Sequence, residues 1–68
     1  MNYVYNIGHT KTVFAELNDG DFAVASYLYS PEHDNWIPFS GSVVKADEAQ
    51  RMMVRIAQKV RETAKRGI

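Results

Sequence analysis

The sequence predicts an α+β fold: an antiparallel β-meander of three to four strands, followed by one C-terminal amphipathic helix packed on one sheet face. Residues 1–44 contain short runs rich in β-branched and aromatic residues, separated by turn residues. From Ala46 onwards, apolar residues recur every three or four positions, as in a helix. The length of 68 residues suits one domain, so residues 1–68 are expected to form a single ββββα unit.

Four runs of strand-forming residues predict strands at about 2–7, 11–17, 22–29 and 36–44. Asp19-Gly20 lies between two of these runs, and this dipeptide is a strong signal for a two-residue type I′ hairpin turn. Pro38 has no N–H to donate, so the fourth strand is expected to lie at an edge of the sheet or to break there. Gly41 suggests a β-bulge.

The turns decide which side chains share a face of the sheet. A two-residue turn at Asp19-Gly20, combined with another at Gly8-His9, places the aromatic residues on one face: Tyr3, Tyr5, Phe14, Tyr27 and Tyr29. The opposite face then carries Val4, Val13, Ala15, Leu17, Phe22, Val24 and Leu28. A three-residue first loop would reverse the faces of the first strand, because successive side chains point to opposite sides. Both alternatives stay open, and so does the face that the helix covers.

A helix is predicted over about 46–66. Its apolar stripe consists of Ala49, Met52, Met53, Ile56, Val60 and Ala64. Acidic residues occupy the first turn and basic residues the last, which complements the helix dipole, and Gly67 is a typical stop signal. Opposite charges four residues apart are expected to pair: Asp47 with Arg51, and Glu62 with Arg66.

Composition and charge exclude several classes of protein. The chain has no cysteine, so neither a disulfide nor a cysteine zinc site can form. Eight basic residues balance eight acidic ones, so the net charge gives no overall attraction to nucleic acid or to an anionic membrane. No apolar run approaches the roughly 20 residues that span a bilayer, and the N-terminus has no signal-peptide pattern. A cytoplasmic location without a membrane partner is therefore expected.

The sequence shows no catalytic motif. It has no nucleophilic cysteine, GxSxG elbow, P-loop or HExxH motif. Glu32, His33 and Asp34 are adjacent, but consecutive side chains point apart, whereas a metal site needs three or four convergent ligands. Two layers of this size rarely enclose a substrate pocket. We therefore expect no enzyme activity, catalytic residue, metal, cofactor or small-molecule substrate.

One face of the predicted sheet has no partner. A single helix covers one face, and no further element remains in the sequence for the other, so that face is expected to stay open. Aromatic side chains are enriched at the centres of interfaces, and tryptophan is the strongest anchor among them. The candidate partner-binding residues are therefore Tyr3, Tyr5, Phe14, Tyr27, Tyr29 and Trp36.

Charge is distributed unevenly along the chain. Residues 1–48 carry a net charge of −5 and residues 49–68 a net charge of +5. Arg51, Arg55 and Lys59 form a basic row at helical spacing, whereas Glu32 and Asp34 lie in an acidic loop. These five residues are candidate electrostatic contacts. A basic helix row can bind phosphates, but the acidic loops would repel a nucleic-acid backbone, so nucleic acid ranks below a protein as the partner.

The whole 68-residue plan, from NYVYNI through the Asn18–Asp21 turn to the helix ADEAQRMMVRIAQKVRETAK, resembles small inhibitor proteins encoded by phages or mobile elements, including anti-CRISPR proteins. Those proteins share small size, scarce cysteine and the absence of catalytic motifs. The resemblance implies a binding module that occludes a surface of a host or defence protein complex, in the host cytoplasm. It carries over no functional residue.

Three hypotheses for function follow. The first is a non-enzymatic protein-binding module of this inhibitory kind. The second is a nucleic-acid-binding module that uses Arg51, Arg55, Lys59 and the open aromatic face. The third is a structural or regulatory subunit in which two open faces pair as a homodimer.

Overall fold

A computed structural model confirms the α+β fold, with four antiparallel strands in one sheet and a single C-terminal helix packed against it. It describes residues 2–66, and the side chains of residues 2–63. The strands follow one another in the sheet in chain order, as in a meander. The elements are β1 (Asn2–Ile7), β2 (Thr10–Glu16), β3 (Phe22–Ser30), β4 (Asn35–Val44) and α1 (Ala46–Arg66).

The first hairpin has the two-residue turn. Ile7 pairs with Thr10, and Gly8 has a φ of 57°, as the first central residue of a type II′ turn requires. The resulting register places Tyr3 opposite Phe14 and Tyr5 opposite Thr12. This alternative for the first strand is therefore confirmed.

The second hairpin differs from the prediction by one residue. The Gly20 N–H donates to the Leu17 carbonyl at 3.1 Å, and the Leu17 N–H donates to the Asp21 carbonyl at 2.8 Å. This pair of bonds encloses a three-residue loop in which Gly20, at φ 90°, takes the left-handed position. Asp19 supports the loop, since its Oδ1 accepts the Asp21 N–H at 3.1 Å. The prediction of a two-residue Asp19-Gly20 turn is wrong.

The extra loop residue exchanges the two faces of β3 relative to β2. Phe14 pairs with Val24 instead of Ala25, and Glu16 pairs with Phe22. Both predicted groupings, one aromatic face and one aliphatic face, are therefore wrong, because a shift of one residue moves every side chain of a strand to the other side. The helix-covered face combines members of both groups: Tyr3, Tyr5, Phe14, Phe22 and Val24.

β3 and β4 form the longest pair of strands. Their loop runs from Pro31 to Asp34, and Asp34 has a φ of 48°, a left-handed conformation that aspartate tolerates better than most residues. β4 is an edge strand, as Pro38 predicted. The register shift lies between Ser26 and Tyr27, opposite Phe39, whereas Gly41 pairs regularly with Ala25. The prediction of a bulge at Gly41 is therefore wrong.

The core lies between the helix and the sheet. Phe14 and Ala49 are fully buried, and Phe22 and Val24 are nearly so. The predicted helix stripe packs on them through half-buried residues, Met52, Met53 and Ile56. The helix contacts β1 and β3, and its first described hydrogen bond runs from the Ala49 N–H to the Lys45 carbonyl at 2.9 Å.

The charge pattern of the helix is seen in part. Arg51 Nη1 lies 3.8 Å from Asp47 Oδ2, which confirms the first predicted pair. Both side chains are exposed, so this pair contributes at most about 0.5 kcal/mol. The side chains of Ala64, Lys65 and Arg66, including the predicted Glu62–Arg66 pair, lie outside the described part of the chain, as does Gly67.

Replacing Gly20 with valine should lower the free energy of unfolding by about 1–2 kcal/mol, because a β-branched residue is strained at positive φ. A Cβ at Gly20 would meet no atom within 4 Å, so the loss comes from the backbone and not from a clash. Urea titration followed by far-UV circular dichroism measures it. Gly20→Asn is the control and should lose less, because asparagine tolerates this region; equal midpoints for wild type and Gly20→Val would exclude the three-residue loop.

Candidate protein-binding surface

The sheet surface that faces away from the helix is here called the open face. In its middle, small side chains succeed one another across the strands, since Val13 pairs with Ala25 and Ala25 with Gly41. Two valines at its sides are strongly exposed, Val4 by 52% and Val43 by 64%. The open face consists of Asn2, Val4, Asn6, Lys11, Val13, Ala15, Ala23, Ala25, Tyr27, Tyr29, Trp36, Pro38, Gly41 and Val43.

An aromatic cluster occupies one end of the open face. Tyr29 pairs with Trp36 across β3 and β4, and their rings meet edge to face with centroids 5.4 Å apart. His9, in the first turn, stacks on Tyr29 with centroids 6.2 Å apart, and the Tyr29 N–H donates to the His9 carbonyl at 2.8 Å. The β1–β2 turn and the β3–β4 hairpin thus hold the cluster together, and its rings support one another.

Lys11 sits within this cluster. Its Nζ lies 4.6 Å from the centroid of the Trp36 ring and 5.0 Å from that of Tyr27, both within the range of cation–π attraction. Among the described residues, no carboxylate lies within 4.0 Å of this ammonium. The aliphatic middle of the open face therefore lies next to a positive charge that has aromatic neighbours but no counter-ion among the described residues.

The β3–β4 loop contacts the aromatic cluster at the outer end of the open face. The Tyr29 hydroxyl donates a hydrogen bond to the Asp34 carboxylate. This bond to a carboxylate raises the pKa of Tyr29 above its ordinary value, and desolvation adds to the effect. His33 Nδ1 lies 3.0 Å from Ser30 Oγ, which closes the loop on itself. Asp34 therefore acts on the aromatic surface by holding Tyr29.

The structure divides the six predicted aromatic contacts. Tyr27, Tyr29 and Trp36 lie together on the open face. Phe14 is fully buried, which places it out of a partner's reach in the folded chain. Tyr3 and Tyr5 pack against the core on the helix side, where the Tyr5 ring meets Phe14 edge to face at 6.0 Å. A single six-residue aromatic surface does not form.

Four of the five predicted charged contacts lie apart from the open face. Arg51, Arg55 and Lys59 are exposed on the helix, and the first two border a shallow groove of about 480 Å³ on its outer side. Glu32 borders another groove, of about 380 Å³, on the helix side of the β3–β4 hairpin. Asp34 alone reaches the aromatic cluster.

The β3–β4 hairpin also exposes apolar side chains on its helix side. Leu28, Ile37 and Phe39 line the groove beside Glu32, and they are 51%, 46% and 62% exposed. The helix leaves this part of the sheet uncovered, because its contacts are with β1 and the core end of β3. The hairpin is thus apolar on both sides.

Sequence reasoning missed Lys11. With the predicted turn, Thr12 would lie opposite Tyr27 and Lys11 would point to the other face. In the observed register Lys11 pairs with Tyr27 itself. The signal that could have identified it is the hairpin loop, because a three-residue loop places Lys11, Tyr27 and Tyr29 on one side.

Residues 2–66 contain neither a membrane-crossing helix nor a cluster of metal ligands. No helix in that range is both long enough and apolar enough to cross a membrane. Nor does any group of three or more histidine, aspartate or glutamate side chains there come together as a metal site.

The basic row on the helix should not produce tight binding to nucleic acid. We expect no binding to a random duplex of about 30 base pairs with a Kd below about 10 µM at about 150 mM salt, because acidic loops offset the attraction of three exposed cations. A gel mobility shift assay measures this. A shift at submicromolar protein that Arg51→Glu with Arg55→Glu abolishes would make nucleic acid the preferred partner.

No protein-family model matches the sequence, and neither a curated protein nor a solved structure shows significant similarity to it.

Proposed function

We propose that this chain is a non-enzymatic binding module that docks on a larger protein through the open face and occludes a surface of it. The observation that carries the proposal is that the helix covers one face of the sheet and leaves the other, mostly apolar face uncovered. On that open face Val4 and Val43 are 52% and 64% exposed, and small apolar residues lie between them: Val13, Ala15, Ala23 and Ala25. An uncovered apolar surface on a small domain is typical of an interaction site.

The middle of the open face supports the same proposal. Glycine weakens a strand interior, and it is tolerated where another backbone or a ligand approaches closely. A Cβ at Gly41 would meet only the Val24 carbonyl oxygen, at 4.0 Å, so no described contact within the chain requires glycine there. Its neighbours Ala25 and Val13 also have small side chains, so the middle of the open face rises little above the backbone of the sheet. A partner backbone or helix can therefore approach the sheet closely.

The aromatic cluster supplies anchors next to that low surface. Tyr27 and Trp36 are half-buried in the isolated chain and already held in place by Lys11. Rigid aromatic side chains lose little conformational entropy on binding, which favours them as anchors. The resemblance to phage-encoded and mobile-element inhibitors adds that the partner is a host or defence complex, and this part stays a prediction.

Site-directed photo-crosslinking in extracts of the source cells tests the proposal. A photoreactive phenylalanine analogue at Val43, on the open face, should form one discrete adduct with a larger protein. The same analogue at Gln58, exposed on the outer side of the helix, is the matched control and should form none.

Competition shows whether the adduct depends on the open face. Excess unlabelled wild type should remove it, whereas excess Gly41→Val should not, because the new side chain fills the space that the partner needs. Gly41→Val should remain folded, since valine favours strands. Equal adducts from Val43 and Gln58, or competition by Gly41→Val as effective as by wild type, would contradict docking through this face.

A further inference from the structure

The charge at the aromatic end of the open face identifies the chemistry of its partner. Lys11 is half-buried between Tyr27 and Trp36, so any partner that covers these rings also removes water from the ammonium group. An ion buried without a counter-ion is costly, whereas a carboxylate in good geometry offsets much of that cost. The counter-ion has to come from the partner, because no described carboxylate of this chain lies within 4.0 Å of Lys11.

We propose that the open face binds an apolar protein segment that carries an aspartate or glutamate, whose carboxylate pairs with Lys11 while its apolar neighbours cover Val13 and Ala25. This inference rests on the proposed function, and it specifies the partner of the same surface.

The other charged groups near the open face do not replace that carboxylate. Asp34 accepts a hydrogen bond from the Tyr29 hydroxyl at the outer end of the cluster. Asp21 lies at the opposite end of β3, where its Oδ2 is 3.8 Å from Lys45 Nζ. Both acids already have partners at the ends of the face, and Lys11 between them has none with opposite charge.

A second copy of this chain fits the open face less well. Two open faces packed against each other would bring two Lys11 side chains into one interface, and the described side chains in the middle of the face include no acid to balance them. Like charges buried together oppose association. Charge complementarity therefore favours a different, acidic partner over a face-to-face homodimer.

Single-stranded nucleic acid also fits less well. Bases stack on free aromatic faces, but Lys11 already covers one side of Tyr27 and of Trp36, and His9 covers one side of Tyr29. The rest of the surface is aliphatic and offers nothing for a base to stack on. A protein segment with a carboxylate between apolar side chains matches both the ammonium of Lys11 and the aliphatic part of the face.

Selection from a displayed library of random short peptides tests the inference, with the full-length chain as the target. Peptides bound by wild type should be enriched in aspartate or glutamate next to aliphatic or aromatic residues. Lys11→Glu should weaken those peptides at least about tenfold. Lys59→Glu makes the same charge change on the helix and should leave their affinity within about twofold.

The Ala25→Arg variant separates failure of this inference from failure of the proposed function. The inference would be wrong, and docking through the open face would stand, if the selected peptides fail to bind Ala25→Arg but are not enriched in acidic residues and bind Lys11→Glu as well as wild type. Peptides that bind Ala25→Arg as well as wild type, or no selected peptides, would count against the docking face itself. A mass of twice 7.7 kDa in sedimentation equilibrium, reduced to the monomer mass by Ala25→Arg, would identify a second copy of the chain as the partner instead of an acidic segment. Binding of oligouridine RNA that Lys11→Glu abolishes would identify RNA as the partner.

Discussion

Replacing Phe14 with alanine is expected to leave the protein largely unfolded in water. Phe14 is the largest fully buried side chain, and it lies at the centre of a core with only three other buried members among the described residues. Truncating a buried phenylalanine costs about 3–5 kcal/mol, because transfer energy is lost and a cavity remains. A domain of this length has a total stability of about 3–10 kcal/mol, so the loss removes much or all of it.

Urea titration followed by far-UV circular dichroism measures the loss. Phe39→Ala provides the matched control: the same side chain is removed from a site that is 62% exposed, and less than about 1 kcal/mol should be lost. Similar losses for the two variants would mean that the helix does not cover the face that carries Phe14.

Replacing Trp36 or Tyr27 with alanine should weaken the partner complex at least about tenfold, because aromatic anchors that a partner buries typically contribute about 2 kcal/mol or more. Each variant should stay folded, since each loses one cation–π contact with Lys11, worth about 0.5–1 kcal/mol, and no fully buried contact. Trp36→Ala also loses the ring contact with Tyr29, worth about 0.5–1.5 kcal/mol. Titration of the crosslinked partner, after its identification, gives the affinities by isothermal calorimetry.

Phe39→Ala is again the informative control, because Phe39 lies in the groove on the other side of the same hairpin. Its removal should change the affinity by less than about threefold. A tenfold loss for Phe39→Ala, with none for Trp36→Ala and Tyr27→Ala, would place the partner in that groove instead of on the open face.

The element plan could be predicted from the sequence because it depends on local patterns. Alternation and turn residues located the strands within about a residue, and the three-to-four spacing from Ala49 to Ile56 located the helix and its buried stripe. Pro38 indicated the edge strand because a missing N–H is excluded from an interior position. None of these features depends on how one strand is aligned with another.

The composition of the faces could not be predicted in the same way. Asn18-Asp19-Gly20-Asp21 fits either a two-residue type I′ turn or a three-residue loop with Gly20 left-handed, and the two differ by one residue of register. The structure has the second form, which buries Phe14 and Phe22 on one side together. Tyr27 and Tyr29 therefore lie on the opposite face from Tyr3 and Tyr5. Lys11 lies beside Tyr27 on that face, which the sequence did not predict.

The open face should be uncovered in the isolated chain and available for docking. Methyl NMR with a soluble nitroxide, at a concentration where sedimentation shows a monomer, tests it most directly, because the nitroxide broadens the signals of exposed groups. The methyls of Val13, Ala25 and Val43 on the open face should lose intensity, whereas those of Val24 and Ala49, which are buried under the helix, should keep it. Protection of Val13 and Ala25 equal to that of Val24 and Ala49 would show that the face is already covered, and would contradict this expectation.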